Sequence, residues 1–288
     1  MSVTRSLVLN ALVPDTVHDM DVFVECLKRL QGTKVKTIEY YTPFENVKER
    51  GRILREMGFE RNVYLIAGRQ KAEGLSLCSV DESERLKAMD LTKRALDAAL
   101  EAGFSAFLIT SGRNVPEGDR KRAMDALRKS LDGLFRIAGD GYDIDLEPGD
   151  TCIDACQLIG PISEAAAFAQ EVRRDHEGFT LTLDTSHIAQ LGESFDKAFE
   201  VGKEVSNHVH LASCILKEGH PLFGDKHPLF GNPDGVYSSD DMKKIMDDVI
   251  LDYEKRGMDL TIGVEVIDRT GKRFGSLDEV MAESHWFF

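Results

Sequence analysis

Short runs of apolar and β-branched residues alternate with longer stretches of helical period along the whole 288-residue chain. A run of about four to eight such residues is typical of a strand that is buried on both faces. The runs that predict strands are Ser6–Leu12, Val35–Tyr40, Asn62–Ala67, Phe104–Thr110, Tyr142–Glu147, Phe179–Asp184, His208–Ala212 and Leu260–Ile267. The chain is therefore predicted to contain eight strands with helices between them.

Two of the intervening stretches show the helical period most clearly. Within residues 124–135, and again within residues 242–253, apolar residues recur mostly three or four positions apart. Each pattern predicts a helix with one apolar face, which packs inwards, and one charged face in solvent. The sequence Ser238–Asp241 predicts a capped and acidic first turn for the second of these helices.

The regular alternation of strands and helices indicates the fold class. Right-handed crossovers make such strands parallel, and eight of them close most economically into an α/β (β/α)8 TIM barrel. A doubly wound open sheet is the alternative. However, the first strand–helix turn, Leu12–Asp15, lacks the glycine fingerprint of a dinucleotide site, and the chain has no Walker-type phosphate loop. No linker or low-complexity tract divides the chain, so residues 1–288 are predicted to form a single barrel domain.

Charge and composition narrow the class of partner. The 36 Lys and Arg residues against 50 Asp and Glu give a formal net charge of −14 at pH 7. This balance disfavours nucleic acid, whose binding relies on clustered basic residues. No apolar run approaches the roughly 18 residues of a spanning helix, so no membrane partner is expected. The five cysteines are odd in number and widely spread, which favours a reducing compartment and predicts a cytoplasmic location.

Acidic and imidazole side chains lie in the last four predicted strands. Glu147 ends the fifth strand, Asp184 ends the sixth, His208 and His210 lie in the seventh, and Glu265 lies in the eighth. Catalytic residues in a barrel of this kind come from the carboxyl ends of the strands, so these side chains are expected to converge. His208 and His210 share one face of their strand, so either can be the histidine of the group.

Two glutamates, one aspartate and one histidine form a site with mostly oxygen donors and one nitrogen. This donor set suits Mn²⁺, Mg²⁺ or Co²⁺, allows Zn²⁺, and disfavours metals that prefer thiolates. Without a cation the three carboxylates would repel one another. One divalent metal ion is therefore the predicted cofactor.

Five segments of the C-terminal half resemble the xylose-isomerase-like TIM-barrel superfamily, which includes sugar isomerases and epimerases and the related AP endonuclease family 2. They occur in the family's order: Asp145–Pro148, Leu183–His187, His208–Leu211, Asp225–His227 and Gly263–Glu265. The resemblance implies roles for several residues. The implied metal ligands are Glu147, Asp184, His210 and Glu265.

By the same resemblance, Glu147 and Glu265 act as the acid and base, and His187 contacts the substrate. The endonuclease branch also needs histidines after the third and fourth strands, and this chain has none between His18 and His176. That departure favours a small-molecule substrate over DNA. The Asp225–His227 motif is present, so His187, Asp225 and His227 are expected either to contact the substrate or to bind a second metal ion.

The resemblance therefore implies a metal-dependent sugar isomerase or epimerase that acts on a keto-sugar through an enediolate. Two alternatives use the same residues. A lyase would cleave a 3-keto-glycoside by β-elimination, and an AP-endonuclease-like enzyme would hydrolyse a phosphodiester. A sugar-binding barrel without turnover is a third alternative, and it is non-catalytic.

Five further features lead to expectations. Glu39, at the end of the second strand, is expected to meet a substrate hydroxyl or to form an ion pair, and Arg113, after the fourth strand, is predicted to contact the substrate. One or both of Asp143 and Asp145 are expected to be buried partners of a lysine or arginine and to carry no chemistry. The loop Ser213–Tyr237 is predicted to be a lid. The aromatic C-terminal residues 284–288 are expected to pack under the barrel or to join a contact between subunits of a homo-oligomer.

Overall fold

A computed structural model describes residues 2–288 and shows a closed barrel in which all eight strands are parallel and follow one another in sequence order. The prediction of a (β/α)8 TIM barrel is therefore confirmed. The strands are β1 (Val3–Val8), β2 (Val35–Tyr40), β3 (Val63–Leu65), β4 (Ala106–Ile109), β5 (Asp143–Leu146), β6 (Phe179–Asp184), β7 (Ser206–Leu211) and β8 (Leu260–Val264). Closure comes from the pairing of β1 with β8.

Helices follow the strands and form the outer layer. They are α1 (Leu9–Leu12), α2 (Met20–Leu30), α3 (Phe44–Glu56), α4 (Ala67–Ala72), α5 (Glu82–Ala102), α6 (Arg120–Ala138), α7 (Ile162–Val172), α8 (Thr185–Gln190), α9 (Phe195–Gly202), α10 (Ser239–Arg256) and α11 (Leu277–Glu283). Both sequence-predicted helices are present as α6 and α10. Ser238 and Asp241 form the predicted cap, each side chain accepting a hydrogen bond from the other's backbone N–H. No helix within residues 2–288 is both long and apolar enough to cross a membrane.

The first strand differs from its prediction. It spans Val3–Val8 rather than Ser6–Leu12, and the last four predicted residues form the short helix α1. Leu9 and Leu12 are fully buried in that turn. A continuous apolar run does not distinguish a buried strand from a buried helical turn by its period, which explains the shift. Strand β8 is also shorter than predicted, so that Glu265 follows the strand instead of lying within it.

The two faces of the barrel wall differ in chemistry. Towards the helices, strand residues such as Leu181, Leu183 and Val209 join the main apolar core. A second, smaller apolar cluster contains Val63, Ala106 and Leu108 of β3 and β4. The interior positions of the other strands carry the buried polar residues that build the candidate site, and these positions are described below.

The C-terminal aromatic residues pack against the amino-terminal end of the barrel. Phe287 is fully buried, and the guanidinium of Arg5 in β1 donates hydrogen bonds to the carbonyls of Trp286 and Phe287. The backbone N–H of Lys34, just before β2, donates to the carbonyl of Phe288. Of the two expectations for these residues, the structure therefore shows packing under the barrel.

Close packing between α3 and α5 gives a testable consequence for stability. A Cβ on Gly51 would lie 2.4 Å from the carbonyl oxygen of Ala102, a backbone atom that cannot swing aside. We expect Gly51→Ala to lower the free energy of unfolding by about 1–3 kcal/mol, despite the better helix propensity of alanine. Urea unfolding measures this. Gly118→Ala is the matched control, because a Cβ there meets nothing within 4 Å. Equal stability of the two variants would contradict the packing described.

Candidate metal centre and substrate cleft

Four side chains meet at the carboxyl ends of four successive strands. Glu147 follows β5, Asp184 ends β6, His210 lies near the end of β7, and Glu265 follows β8. Ligand atoms from all four lie within 4.8 Å of one another, and we call these residues the ligand group. The Nδ1 atom of His210 lies 2.9 Å from Glu147 Oε1 and 3.0 Å from Glu265 Oε2. The group can hold a divalent metal ion.

Asp184 provides the sharpest test of whether a cation fits. Its Oδ1 atom caps α8, accepting from the backbone N–H groups of Ser186 at 2.7 Å and His187 at 2.9 Å. Its Oδ2 atom is buried and has no hydrogen-bond partner, and it lies 4.0 Å from His210 Nδ1. A buried carboxylate oxygen without a partner is destabilising. A cation held by the ligand group would satisfy this oxygen, so the donor set and its geometry fit a metal.

The electrostatics of the ligand group indicate an excess of negative charge. Burial would lower the pKa of His210, but the carboxylates of Glu39, Glu147 and Glu265 raise it well above its usual range. Burial raises the pKa of Glu147, and the neighbouring His210 only partly opposes that rise. Without a metal, a proton on His210 thus supplies the positive charge that partly balances these carboxylates. A bound divalent cation would take the place of that proton.

This exchange of proton for metal predicts a pH dependence. Because the pKa of His210 is raised, its ring stays protonated at neutral pH in the metal-free protein, and a metal must displace the proton. We expect the apparent affinity for Mn²⁺ to increase by about tenfold per pH unit for each displaced proton between about pH 6 and pH 8. Calorimetric titration in buffers of different ionisation enthalpy measures both the affinity and the released protons. An affinity independent of pH, with no proton release, would contradict this.

His187, Asp225 and His227 form a second group, which we call the outer triad. Asp225 Oδ1 lies 2.8 Å from His227 Nε2 and 3.4 Å from His187 Nε2. Burial would raise the pKa of Asp225, but the two imidazoles hold it well below its usual range. The ring of His187 is further fixed by Pro148, whose carbonyl accepts from Nδ1 at 3.1 Å. The structure therefore brings together the three residues that the sequence proposed as substrate contacts or second-metal ligands.

The outer triad and the ligand group are linked through Ser186, which the sequence analysis did not single out. Its hydroxyl donates to Asp184 Oδ1 at 2.6 Å and lies 3.1 Å from His227 Nδ1. Lys71 of α4 is a second residue missed from the sequence, with its Nζ atom 3.5 Å from Asp225 Oδ2. Nothing in the local sequence marks Lys71, because the contact joins segments that are far apart in the chain.

A cleft of about 360 Å³ opens above the ligand group. Glu147 and Glu265 form part of its lining together with the whole outer triad. Arg113 also lines this cleft, at its exposed rim, as a substrate contact would require. The volume suits a small molecule, since ligand pockets usually measure about 300–1,000 Å³.

Glu39 does not line this cleft. It is 0 % exposed, inside the barrel, where both carboxylate oxygens already interact with the rings of His208 and His210 at 2.9 Å. Of the two expectations for Glu39, the structure therefore shows the ion pair and not a position for meeting a substrate hydroxyl. Asp145 also differs from expectation, because its partner is His208 at 3.1 Å rather than a lysine or arginine.

The loop between β7 and α10 is packed rather than free. Phe230 is 1 % exposed, and the backbone N–H groups of Phe230 and Gly231 donate to the carboxylate of Glu283. The loop also supplies Asp225 and His227 to the outer triad. His227 adopts a left-handed backbone conformation with φ of 36°, which is strained for a residue with a side chain and often occurs at functional sites.

Comparison with protein-family profiles identifies the family of this chain. The family profile described as "Xylose isomerase-like TIM barrel" matches residues 23–253. The chain belongs to this family. The match includes strands β2 to β7, and therefore three of the four members of the ligand group.

Solved structures of other proteins superpose over nearly the whole chain. D-psicose 3-epimerase from Clostridium cellulolyticum H10, with D-tagatose, shares 16% identity with a TM-score of 0.64, covering 98% of this chain and 91% of its own. The 3-keto-D-glucoside 4-epimerase from E. coli shares 14% identity with a TM-score of 0.69, covering 100% and 98%. AP endonuclease, family 2, from Brucella melitensis shares 17% identity with a TM-score of 0.65, covering 99% and 97%.

Similarity at these identities establishes the fold and leaves the activity to be argued from the site. Comparison with curated protein sequences gives no significant match.

Proposed function

We propose that this protein is a divalent-metal-dependent sugar isomerase or epimerase that acts on a keto-sugar or a related polyol carbonyl. The observation that carries the proposal is the buried Oδ2 atom of Asp184, which lacks a hydrogen-bond partner and belongs to a four-residue ligand group beneath a small-molecule cleft. The epimerases of similar fold support a carbohydrate as the substrate, since their names specify D-psicose and a 3-keto-D-glucoside.

In this proposal, Glu147, Asp184, His210 and Glu265 hold one ion of Mn²⁺, Mg²⁺, Co²⁺ or Zn²⁺. When bound, such an ion supplies Lewis-acid stabilisation of the negative charge that develops on the substrate oxygens. Three carboxylates and one imidazole form the hard donor set that these ions prefer. The buried position of Asp184 and His210, each 1 % exposed, keeps the donors rigid and excludes water from behind the site.

Glu147 and Glu265 are the proposed acid and base. One carboxylate oxygen takes the proton from the carbon beside the substrate carbonyl, and the electron pair of that C–H bond moves into the enediolate. The other glutamate, protonated beforehand, returns a proton to the opposite face of the same carbon or to the neighbouring carbon. In the metal-free protein, burial raises the pKa of Glu147. Return to the same carbon gives an epimer. Return to the neighbouring carbon, together with transfer of the hydroxyl proton from one substrate oxygen to the other, gives an aldose–ketose isomer.

The outer triad is proposed to bind substrate hydroxyls, with Arg113 as a further contact at the rim. Lys71 lies 3.5 Å from Asp225 and already places a positive charge beside that carboxylate, which reduces the need for a second cation there. A second metal ion in the outer triad is the alternative. Metal stoichiometry distinguishes the two, because only a second ion would raise the bound metal above one equivalent.

The test of the proposed function is incorporation of solvent deuterium. The manganese-loaded protein is incubated in D₂O with D-fructose, D-psicose, D-tagatose and 3-keto-glucosides, and NMR follows the carbon next to each carbonyl. We expect deuterium at that carbon of at least one sugar, together with an epimer or isomer of it. Manganese-loaded protein that exchanges no proton of any of these sugars would contradict the proposed activity.

The alternatives give different products in the same experiment. Release of the aglycone from a 3-keto-glycoside would identify the lyase. Cleavage of an abasic DNA duplex would identify phosphodiester hydrolysis, although the segments after β3 and β4 lack the histidines of that branch. Sugar binding without proton exchange would indicate a non-catalytic sugar-binding barrel.

A cytoplasmic location, homo-oligomerisation and the lack of a nucleic-acid partner stay predictions from the sequence.

A further inference from the structure

The barrel interior beneath the ligand group contains a buried carboxylate that touches its histidine. Glu39 Oε2 lies 2.9 Å from Nε2 of His210, while Nδ1 of the same ring faces Glu147 and Glu265. Glu39 is 0 % exposed, so neither solvent nor substrate reaches this contact. The two nitrogens of His210 therefore have separate partners, one below the ligand group and one within it.

Glu39 is itself held from two further directions. The hydroxyl of Ser6 in β1 donates to Glu39 Oε1 at 2.6 Å, and Nε2 of His208 lies 2.9 Å from the same oxygen. The ring of His208 is braced in turn, since its Nδ1 lies 3.1 Å from Asp145 Oδ2. Strands β1, β2, β5 and β7 thus contribute to one buried chain that crosses the barrel and ends at His210.

Gly263 of β8 makes space for this chain. A Cβ at that position would lie 2.5 Å from Ser6 Oγ, 2.6 Å from Glu39 Oε1 and 3.3 Å from Cδ2 of His210. Both Ser6 and Glu39 are fully buried and have little room to move. A Cβ on Gly263 would press on Glu39 Oε1, the other oxygen of the carboxylate that contacts His210, and would also crowd the His210 ring. Gly263→Ala therefore disturbs the contact from the side of β8 without changing Glu39 itself.

We propose that Glu39 is a positioning residue that fixes the ring of His210 with Nδ1 towards the ligand group. The Glu39 carboxylate lies in the space that Gly263, which has no side chain, leaves open. The proposal rests on the proposed function, because it assumes that the ligand group binds a metal. Metal-binding histidines usually donate their second ring N–H to a carboxylate or carbonyl, which sets both the tautomer and the orientation of the ring. Glu39 touches neither substrate nor metal in this role and acts only through His210.

The proposal predicts a graded series of metal affinities. Glu39→Gln retains an oxygen that can accept from His210 Nε2 and is expected to change the Mn²⁺ dissociation constant by less than about tenfold. Glu39→Ala removes the acceptor, and Gly263→Ala displaces it, so each is expected to weaken Mn²⁺ binding by about 10–100-fold. Asp143→Asn is the matched control, since Asp143 is also partly buried at the barrel wall but bonds to Asn207 instead of His210. This control is expected to bind Mn²⁺ as the wild type does.

The NMR signals of the His210 ring nitrogens provide a second measurement. If Glu39 only stabilised the fold, its substitution would not change which ring nitrogen carries the proton. In Zn²⁺-loaded protein labelled with ¹⁵N-histidine, NMR shows which ring nitrogen of His210 carries the proton. We expect the proton on Nε2 and the metal on Nδ1 in the wild type and in Glu39→Gln. In Gly263→Ala and Glu39→Ala we expect a broadened signal or a mixture of tautomers.

The outcomes separate this inference from the proposed function. If the wild type binds metal through Nε2, or if folded Glu39→Ala and Gly263→Ala bind Mn²⁺ as tightly as the wild type, the positioning role is wrong and the metal site stands. If the wild type binds no metal, both are wrong. The tautomer measurement on the wild type needs no variant, so it decides the question even if Glu39→Ala fails to fold.

Discussion

Replacement of Glu147 or Glu265 by glutamine is expected to slow solvent exchange at the reacting carbon by about 10²–10⁴-fold, the usual contribution of a positioned acid or base. The amide has nearly the same size and keeps an oxygen towards the metal, but it cannot take up or release a proton at neutral pH. In this account each glutamate transfers a proton at one face or one carbon of the substrate. Either substitution alone is therefore expected to slow the exchange. The measurement is the rate of deuterium incorporation at saturating Mn²⁺.

Glu117→Gln is a suitable control for this pair, because Glu117 is exposed on the short helical turn Glu117–Asp119 before α6 and takes no part in the site. Its exchange rate should equal that of the wild type. If either Glu147→Gln or Glu265→Gln retained the wild-type rate at saturating metal, the two-glutamate mechanism would be incorrect. If both lost only metal affinity, the glutamates would act as ligands without the acid–base role.

Substitution of Asp184 by asparagine is expected to weaken Mn²⁺ binding by more than about 100-fold. Residues that only support a metal ligand, without binding the metal themselves, typically account for about 10–100-fold. The substitution removes the charge of the oxygen that has no other partner in the structure. Asparagine is also a good N-cap, so α8 should stay folded. Calorimetric titration with Mn²⁺ gives the affinity, and circular dichroism checks the fold.

Asp81→Asn is the matched control for this change. Asp81 caps α5 just as Asp184 caps α8, accepting from two backbone N–H groups, but it lies on the surface away from the ligand group. We expect it to leave Mn²⁺ affinity unchanged. Similar affinities of the Asp184→Asn variant and the wild type would show that the unpartnered oxygen is not a ligand.

The fold was largely predictable from the sequence because short apolar or β-branched runs alternate with longer stretches of helical period along the chain. The prediction was wrong where that signal is ambiguous. The apolar run through Leu9 and Leu12 continues past the end of β1 into a buried helical turn, and hydrophobicity alone does not show where the strand stops. Boundaries of this kind are set by tertiary packing.

The candidate site was predictable in part for a related physical reason. Carboxyl ends of parallel strands converge in a barrel, so polar residues at Glu147, Asp184 and Glu265 were expected to meet. The partners of Glu39 were not predictable, because they depend on which side chains meet across the barrel interior. No local pattern indicates that Glu39 faces His210, because the two residues are 171 positions apart in the chain.

The central claim is that the ligand group binds one divalent metal ion. Inductively coupled plasma mass spectrometry on tag-free protein, purified without added metal and then reconstituted with Mn²⁺, tests it most directly, with Asp184→Asn measured alongside. The account predicts about one equivalent in the wild type and loss of that metal in the variant. A second equivalent that is lost on Asp225→Asn would assign another ion to the outer triad. Wild-type protein that retains no metal after reconstitution would contradict the account.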